Sequence, residues 1–410
     1  MRVIIVTETY LPYLSGVTVS TEVAARGLGR RGHTVMLLAP RARRGVPVGT
    51  AGAAGPEPEY AWLPSYQLPR PVPFGYRMPS MIPNAPTFRR ALAFRPEIVH
   101  AQSPFVAGSI ARSIARRAGV PLVQTHHTRL TEYRHYLWPV SEIGAALVDG
   151  HTRRFWASCD AVIAPSRDFA IEVSGALGEG SRTIVRAIPT GIDLDTIDRV
   201  RAADLRSLHD WPADAVVVVS LGRLGKEKNV EFLLEAFALA ARRTPALHLV
   251  LVGGGPLEST LRRRAAAPDL TGRVAFTGGL PRLDALAHLK GADLFAFASQ
   301  TETQGLVLAE ALACGVPVVA LDGPGVRDSL DHDRNAIVVP RDEPNGPTLA
   351  LANAMCRLAH DAALRADFAR EARRTAREAD VDVRLGALEA LYEHVLAQRV
   401  PSRTAPLPRS

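Results

Sequence analysis

Short runs of β-branched and aliphatic residues alternate with amphipathic stretches along almost the whole chain. In the first half the runs Val3–Val6, Thr34–Leu38, Ile98–Ala101, Pro121–Thr125, Ala161–Ala164 and Ile184–Ile188 predict buried strands. Between them lie helical patterns such as Val19–Arg31, with apolar Val19, Val23 and Leu28 and a stop at Gly32. The alternation pauses around Thr190–Asp214, then resumes with Ala215–Leu221, His248–Val252, Val274–Thr277, Leu294–Ala298 and Val316–Ala320. Strand–helix alternation predicts parallel sheets covered on both faces. Right-handed crossovers then put every strand's carboxyl end on one edge, where ligands bind. The chain therefore reads as α/β, with two Rossmann-like domains whose strand ends face each other across a cleft. The expected division is 1–195, 196–382, a final helix over 383–400, and a frayed tail at 401–410. Residues 40–80, rich in Pro, Gly and Arg, read as a long surface excursion.

Composition narrows this picture. A 410-residue chain with 47% hydrophobic and 6% aromatic residues is long enough for two cores. No run of about 18 apolar residues is present, and the start MRVIIVTETY is a strand pattern without the flanks of a signal peptide. A cytoplasmic protein is expected, one that can sit on the inner face of a membrane. Cys159, Cys314 and Cys356 are scattered without metal-ligand spacing and read as reduced, buried thiols. Charge is unevenly placed. Residues 1–195 hold 22 Lys+Arg against 14 Asp+Glu, whereas residues 196–410 hold 27 of each. The basic first half would attract an acidic acceptor or an anionic lipid surface, although an arginine-rich composition alone gives the same excess. Its charge is diffuse and not interleaved with aromatic residues, so no nucleic-acid partner is expected.

Four segments carry chemistry. In ADLFAFASQTETQGLVLAEALACGVPVVAL, residues 292–321, a strand runs through a polar loop into a helix that opens at Gly305. The amides of Gly305, Leu306 and Val307 at such an opening form a seat for phosphate. Glu302 in the loop can hold a sugar hydroxyl, and Glu310 on the helix can reach a ribose. In SLGRLGKEKN, residues 220–229, Arg223 and Lys228 follow a strand and can converge on a diphosphate. Of the 49 Lys and Arg residues only Lys226, Lys228 and Lys290 are lysine, and two of them lie in this loop. That retention points to a required ammonium at Lys228. Near the start, VTETYLPYLSGV offers Gly16 for close approach of a ligand before a helix beginning near Thr18. In PLVQTHHT, His126 and His127 end a strand, and alternation lets only one of them face a ligand edge. His100 in IVHAQSPF is a weaker candidate of the same kind. The run Gly253–Gly255 lacks the spacing of a dinucleotide fingerprint and reads as tight packing.

With these segments in order, the chain resembles the retaining glycosyltransferases of family 4, which have the GT-B fold. The resemblance runs through LSGV, HAQSPF, THHT, APS at 164–166, IPTGID, GRLGKEKN, LVGGGP, FTG at 276–278 and the pair Glu302/Glu310. It implies a metal-independent enzyme without a cofactor, whose co-substrate is a nucleotide diphosphate-sugar, a UDP-sugar before a GDP-sugar. It implies that Gly16, Arg223 and Lys228 meet the diphosphate, Glu302 the sugar and Glu310 the ribose, while backbone at Gly278 and Leu280 meets the base. His127, directly before the Thr of THHT, is the histidine it selects. Two departures stand out: Ser15-Gly16 replaces a Gly-Gly, and Asn335-Ala336 replaces an Asn-Gly. DxD triplets start at Asp193, Asp331 and Asp380, but none directly follows a predicted strand.

A narrower likeness is to bacterial enzymes that glycosylate diacylglycerol. It implies that Tyr133, His135 and Tyr136 lie near the acceptor, and that the stretch RPVPFGYRMPS at 70–80 suits a membrane interface. The expected activity is therefore a hexosyltransferase moving glucose from UDP-glucose to a lipid hydroxyl, with His127, Glu302, Arg223 and Lys228 as the catalytic set. A GDP-mannose-dependent α-mannosyltransferase acting on a lipid or glycan shares most of these features. The rivals outside that class are a GT-B phosphorylase or epimerase and a non-catalytic nucleotide-sugar-binding protein.

Overall fold

In the computed structural model, described for residues 1–13, 15–41, 53–67, 77–80, 85–127 and 142–399, the chain folds into two units. One takes in the described residues as far as Gly191 and those from Val381 on; the other is Ile192–Asp380.

The first unit is built on a seven-stranded parallel sheet in the order β3-β2-β1-β6-β7-β8-β9. Its elements are β1 (Arg2–Val6), α1 (Gly16–Arg30), β2 (Thr34–Pro40), β3 (Glu59–Leu63), β4 (Ser65–Gln67), β5 (Arg77–Pro79), α2 (Ala85–Ala93), β6 (Ile98–Ala101), α3 (Val106–Ala118), β7 (Leu122–Thr125), α4 (Glu142–Ala157), β8 (Ala161–Ala164), α5 (Arg167–Leu177) and β9 (Ile184–Ala187). The stretch 40–80 is not wholly a surface excursion. Glu59–Leu63 joins the sheet edge, its Leu63 opposite Pro40 of β2. Flanking prolines conceal this strand in the sequence, where EYAWL is too short to show a period. Helix α1 also begins at Gly16, two residues before the predicted start near Thr18. Ser15 is its N-cap and accepts from the Thr18 amide at 3.2 Å, which draws Gly16 into the first turn.

The second unit repeats the plan with a six-stranded parallel sheet, β12-β11-β10-β13-β14-β15. Its elements are α6 (Leu194–Arg199), α7 (Leu205–Leu208), β10 (Val216–Leu221), α8 (Val230–Arg243), β11 (Leu247–Val252), α9 (Glu258–Ala265), β12 (Val274–Gly278), α10 (Arg282–Lys290), β13 (Leu294–Phe297), α11 (Leu306–Ala313), β14 (Val318–Leu321), β15 (Ala336–Val339), α12 (Pro347–His360) and α13 (Ala362–Ala376). Side chains alternate across β10: Val216 and Val218 enter the core shared with α8 and α12, while Val217 and Val219 enter the one shared with α11. Burial on both faces is why these strands read as unbroken apolar runs. The unexpected strand β15 follows directly on Asn335. That side chain is fully buried, accepts from the Asp331 amide at 2.9 Å and donates to Thr375 at 3.2 Å. An amide network thus shapes the turn where a glycine was expected.

Helix α14 (Val381–Arg399) returns the chain to the first unit and packs on α1. Arg31 and His33 both bond Glu389, at 2.8 and 2.7 Å, and Leu385 fills the space beside Gly27. Among the described residues no helix is long and apolar enough to cross a membrane.

Both sheets change winding direction at one place. From β1 the chain proceeds outward to β2 and β3, then returns to place β6 on β1's other side. From β10 it proceeds to β11 and β12, then places β13 on the opposite flank. At such a switch point the loops leaving two neighbouring strands diverge and open a crevice at their carboxyl ends.

Candidate active site

In the second unit, the loops leaving β10 and β13 carry most of the residues singled out in the sequence. The β10 loop, Gly222–Gly225, leads into a 3-10 turn at Lys226–Lys228. It lies directly on the loop after β11. The Gly222 amide donates to Val252 O at 2.9 Å, the Leu224 amide to Gly254 O at 3.0 Å, and the Leu257 amide to Leu224 O at 3.0 Å. A β-carbon on Gly253 would fall 2.0 Å from Gly222 O, and one on Gly255 2.4 Å from Leu224 O. The glycine run is therefore a packing device, as its spacing suggested.

Lys228 donates from Nζ to Glu302 Oε1, joining the two switch-point loops. Burial, the largest influence on Glu302, pushes its pKa up. The charge and hydrogen bond of Lys228, with a further bond from Ser299, outweigh it and hold the carboxyl below the usual range. A second link runs alongside. Arg223 Nη1 stands 3.6 Å from the buried Glu227 carboxylate, and Glu227's own carbonyl accepts from Ser299 Oγ at 3.3 Å and the Gln300 amide at 3.2 Å. Sequence reasoning missed Glu227, since an acid between two lysines reads as solvated charge. The signal available was its i, i+4 spacing from Arg223.

Gly305, with φ at +70°, turns the chain into α11 and caps it without a side chain. Gly305 thus supplies no capping side chain to the amides at this opening, those of Gly305, Leu306 and Val307 among them. Glu310, further along α11, accepts a bond from Arg282 Nη2 at 2.8 Å, and both side chains are largely buried. Arg282 is another residue that the sequence did not single out. Gly278 closes β12, where its carbonyl accepts from the Gly253 amide at 3.0 Å. Leu280 packs on the apolar core beneath α10 and α11.

In the first unit the candidates lie at the carboxyl ends of β1, β6 and β7, on one edge of the sheet. Gly16 is exposed at the start of α1, and a β-carbon there would meet nothing within 4 Å. The two histidines after β7 diverge as alternation requires. His126 is buried against Trp156 and Phe169, with ring centroids 4.9 and 5.4 Å away. His127 brings Nε2 to 2.7 Å from Oε1 of the buried Gln102, which follows β6. With the amide oxygen accepting, the imidazole holds its proton on Nε2. Burial lowers the His127 pKa to about 4, so the ring is neutral near pH 7. His100 is engaged on both nitrogens, by Tyr392 of α14 and by Thr125, each at 2.7 Å. Burial, with His127 nearby, lowers its pKa to about 3. Tyr133, His135 and Tyr136 lie outside the described residues, as does most of 70–80.

Two doubly wound parallel sheets with cationic and carboxylate side chains on switch-point loops are the framework of a GT-B glycosyltransferase. The fold matches Anabaena HepE, solved in complex with UDP and glucose, with a TM-score of 0.71 at 20% identity, over 96% of this chain and 100% of that one. Residues 14–196 match the model described as Glycosyltransferase Family 4, and residues 203–375 that of Glycosyl transferases group 1. The GDP-mannose-dependent alpha-mannosyltransferase of Mycolicibacterium smegmatis is 31% identical over 347 residues, covering 83% of this chain and 85% of its own length. An alpha-monoglucosyldiacylglycerol synthase of Streptococcus pneumoniae is 28% identical over 352 residues, covering 79% and 72%. The chain belongs to glycosyltransferase family 4.

Proposed function

We propose that the chain is a retaining hexosyltransferase that moves glucose from UDP-glucose to a hydroxyl of a membrane lipid such as diacylglycerol. The observation that carries the reading is the coupling of Lys228 to Glu302 beside Arg223 and Glu227, on two loops at one switch point. Arg223, Lys228 and the helix opening at Gly305, Leu306 and Val307 take the diphosphate. Glu302 holds hydroxyls of the sugar and Glu310 those of the ribose, and backbone at Gly278 and Leu280 meets the base. From the first unit, Gly16 approaches the diphosphate, His127 turns its imidazole to the sugar, and Tyr133, His135 and Tyr136 serve the acceptor. Likeness to the diacylglycerol enzyme and the basic first half support the lipid acceptor and a peripheral position on a cytoplasmic membrane face.

In the reaction, the bond between the anomeric carbon and the leaving phosphate oxygen breaks while the acceptor oxygen bonds the same face. The acceptor proton passes to the leaving phosphate. Charge growing on that phosphate is what Arg223, Lys228 and the α11 amides stabilise. An isolated glycosyl-enzyme adduct on active protein would overturn same-face attack.

Likeness to the mannosyltransferase favours a second reading, transfer of mannose from GDP-mannose to a lipid or glycan. The deciding experiment incubates UDP-glucose, UDP-N-acetylglucosamine or GDP-mannose with membrane lipid extract and identifies products by mass. A hexosyl-diacylglycerol made from UDP-glucose is expected. A mannosylated product selects the second reading. Nucleotide released without an acceptor product points to an epimerase or hydrolase, and donor binding without turnover to a binding protein.

A further inference from the structure

Arg282 occupies an unfavourable place for a cation. It is the first residue of α10, where the helix dipole is positive, and it is only 12% exposed. Its compensation comes from another helix: Nη2 donates to Glu310 Oε1 at 2.8 Å, and the Glu310 side chain is 9% exposed. Buried ion pairs of this kind are weak stabilisers, because desolvation offsets their attraction and apolar replacements serve as well. Stability alone therefore does not account for the pair.

The surroundings give it another use. Arg282 follows Gly278–Leu280, the backbone placed under the base, and Glu310 is the carboxylate placed at the ribose. The guanidinium meets Oε1 through Nη2, and a carboxylate has lone-pair sites for several donors. A permanently charged guanidinium bonded to Oε1 limits how far the Glu310 carboxylate can turn away. We infer that Arg282 is a positioning residue that holds Glu310 oriented for the ribose hydroxyls, and so sets affinity for the nucleoside half of the donor. The inference rests on the donor-binding reading above. It assigns Arg282 no contact with the reacting atoms.

The test uses the full chain and titrates UDP, 2′-deoxy-UDP, 3′-deoxy-UDP and inorganic pyrophosphate, with the GDP series in parallel. The proteins are wild type, Arg282→Met, Arg282→Lys and Glu310→Gln. Wild type is expected to prefer the ribonucleotide about 10- to 100-fold over at least one deoxy form, the range for a hydrogen bond to a charged group. Arg282→Met should bind the ribonucleotide weakly, erase that preference, and bind pyrophosphate as wild type does. Arg282→Lys should recover part of the preference, and Glu310→Gln should resemble Arg282→Met. With the donor as substrate, the Met variant should raise KM far more than it lowers kcat. A merely structural role would weaken pyrophosphate and nucleotide alike and leave the ratio of ribo to deoxy affinity intact. That intact ratio in Arg282→Met overturns the inference, as does a wild type that binds ribo and deoxy forms equally. A wild type that binds neither UDP nor GDP overturns the donor-binding reading itself.

Discussion

The Lys228 ammonium bonds the Glu302 carboxylate across 74 residues of sequence. Both side chains are partly buried, at 27% and 14% exposure, so removing one partner affects both chemistry and stability. In the proposed reaction Lys228→Ala withdraws a positive charge from the leaving group, and turnover is expected to fall about 10²- to 10³-fold. It also leaves Glu302 buried without its cation, a change that destabilises by about 3–5 kcal/mol where no water reaches and by less here. Adding Glu302→Gln should restore the melting temperature but not the rate. Steady-state kinetics and thermal melts of both variants separate the two effects. A Lys228→Ala protein with near-normal kcat would remove Lys228 from the site.

The same pair has an acid limit. Because the folded pKa of Glu302 lies below its ordinary 4.5, its ionisation contributes stability that is complete above that value. The contribution drains as pH falls through the lower folded pKa, where the unfolded chain no longer binds more protons than the folded one. The difference in unfolding free energy between wild type and Glu302→Gln should therefore shrink from pH 5 downward. Urea titrations at several pH values measure it. A difference that stays constant below pH 4.5 contradicts the ion pair.

These contacts separate what the sequence disclosed from what it concealed. Two doubly wound sheets were legible because buried parallel strands are apolar on both faces and stand out between amphipathic helices. Lys228 was legible because lysine is rare in this chain, and Glu302 because it precedes a helix opening. Glu227 was not, since an acid between two lysines reads as solvated charge despite Arg223 four residues before it, and Arg282 was not, since it looks like an ordinary surface charge until Glu310 is brought to it from another helix. Gln102 was hidden for the same reason: its partner His127 lies on the loop after the neighbouring strand. The edge strand Glu59–Leu63 escaped because five residues between prolines carry too little period to be read. Pairing between distant residues is what local pattern does not encode.

Two glycines are expected to behave in opposite ways. Gly253 has φ at +132°, and its β-carbon position lies on Gly222 O, so Gly253→Ala must part the two loops or strain the backbone. A loss of about 2–4 kcal/mol of stability is expected, read from urea midpoints. At Gly16 a β-carbon meets nothing. Gly16→Ala should leave the midpoint unchanged and raise the KM for the donor, because only an approaching diphosphate would encounter the added methyl. Unchanged kinetics in Gly16→Ala would take Gly16 out of the donor site.

His127 sets a pH signature of its own. Its folded pKa of about 4 lies below the ordinary 6.5, so the unfolded chain binds the extra proton first as pH falls. Stability is then greatest above pH 6.5 and declines toward pH 4, by up to about 3 kcal/mol for the full shift. His100, lowered to about 3, adds a loss over a similar window that continues further into acid. Because the ring stays neutral from pH 5 to 8, His127 should contribute no inflection to kcat/KM in that range. His127→Gln should flatten the acid decline in stability between pH 6.5 and 4 while lowering turnover, since an amide can still bond Gln102 but lacks the second ring nitrogen. Paired pH profiles of melting and of kcat/KM test both halves. An activity limb near pH 6.5 that disappears in His127→Gln would mean that the ring titrates normally, contrary to its burial beside Gln102.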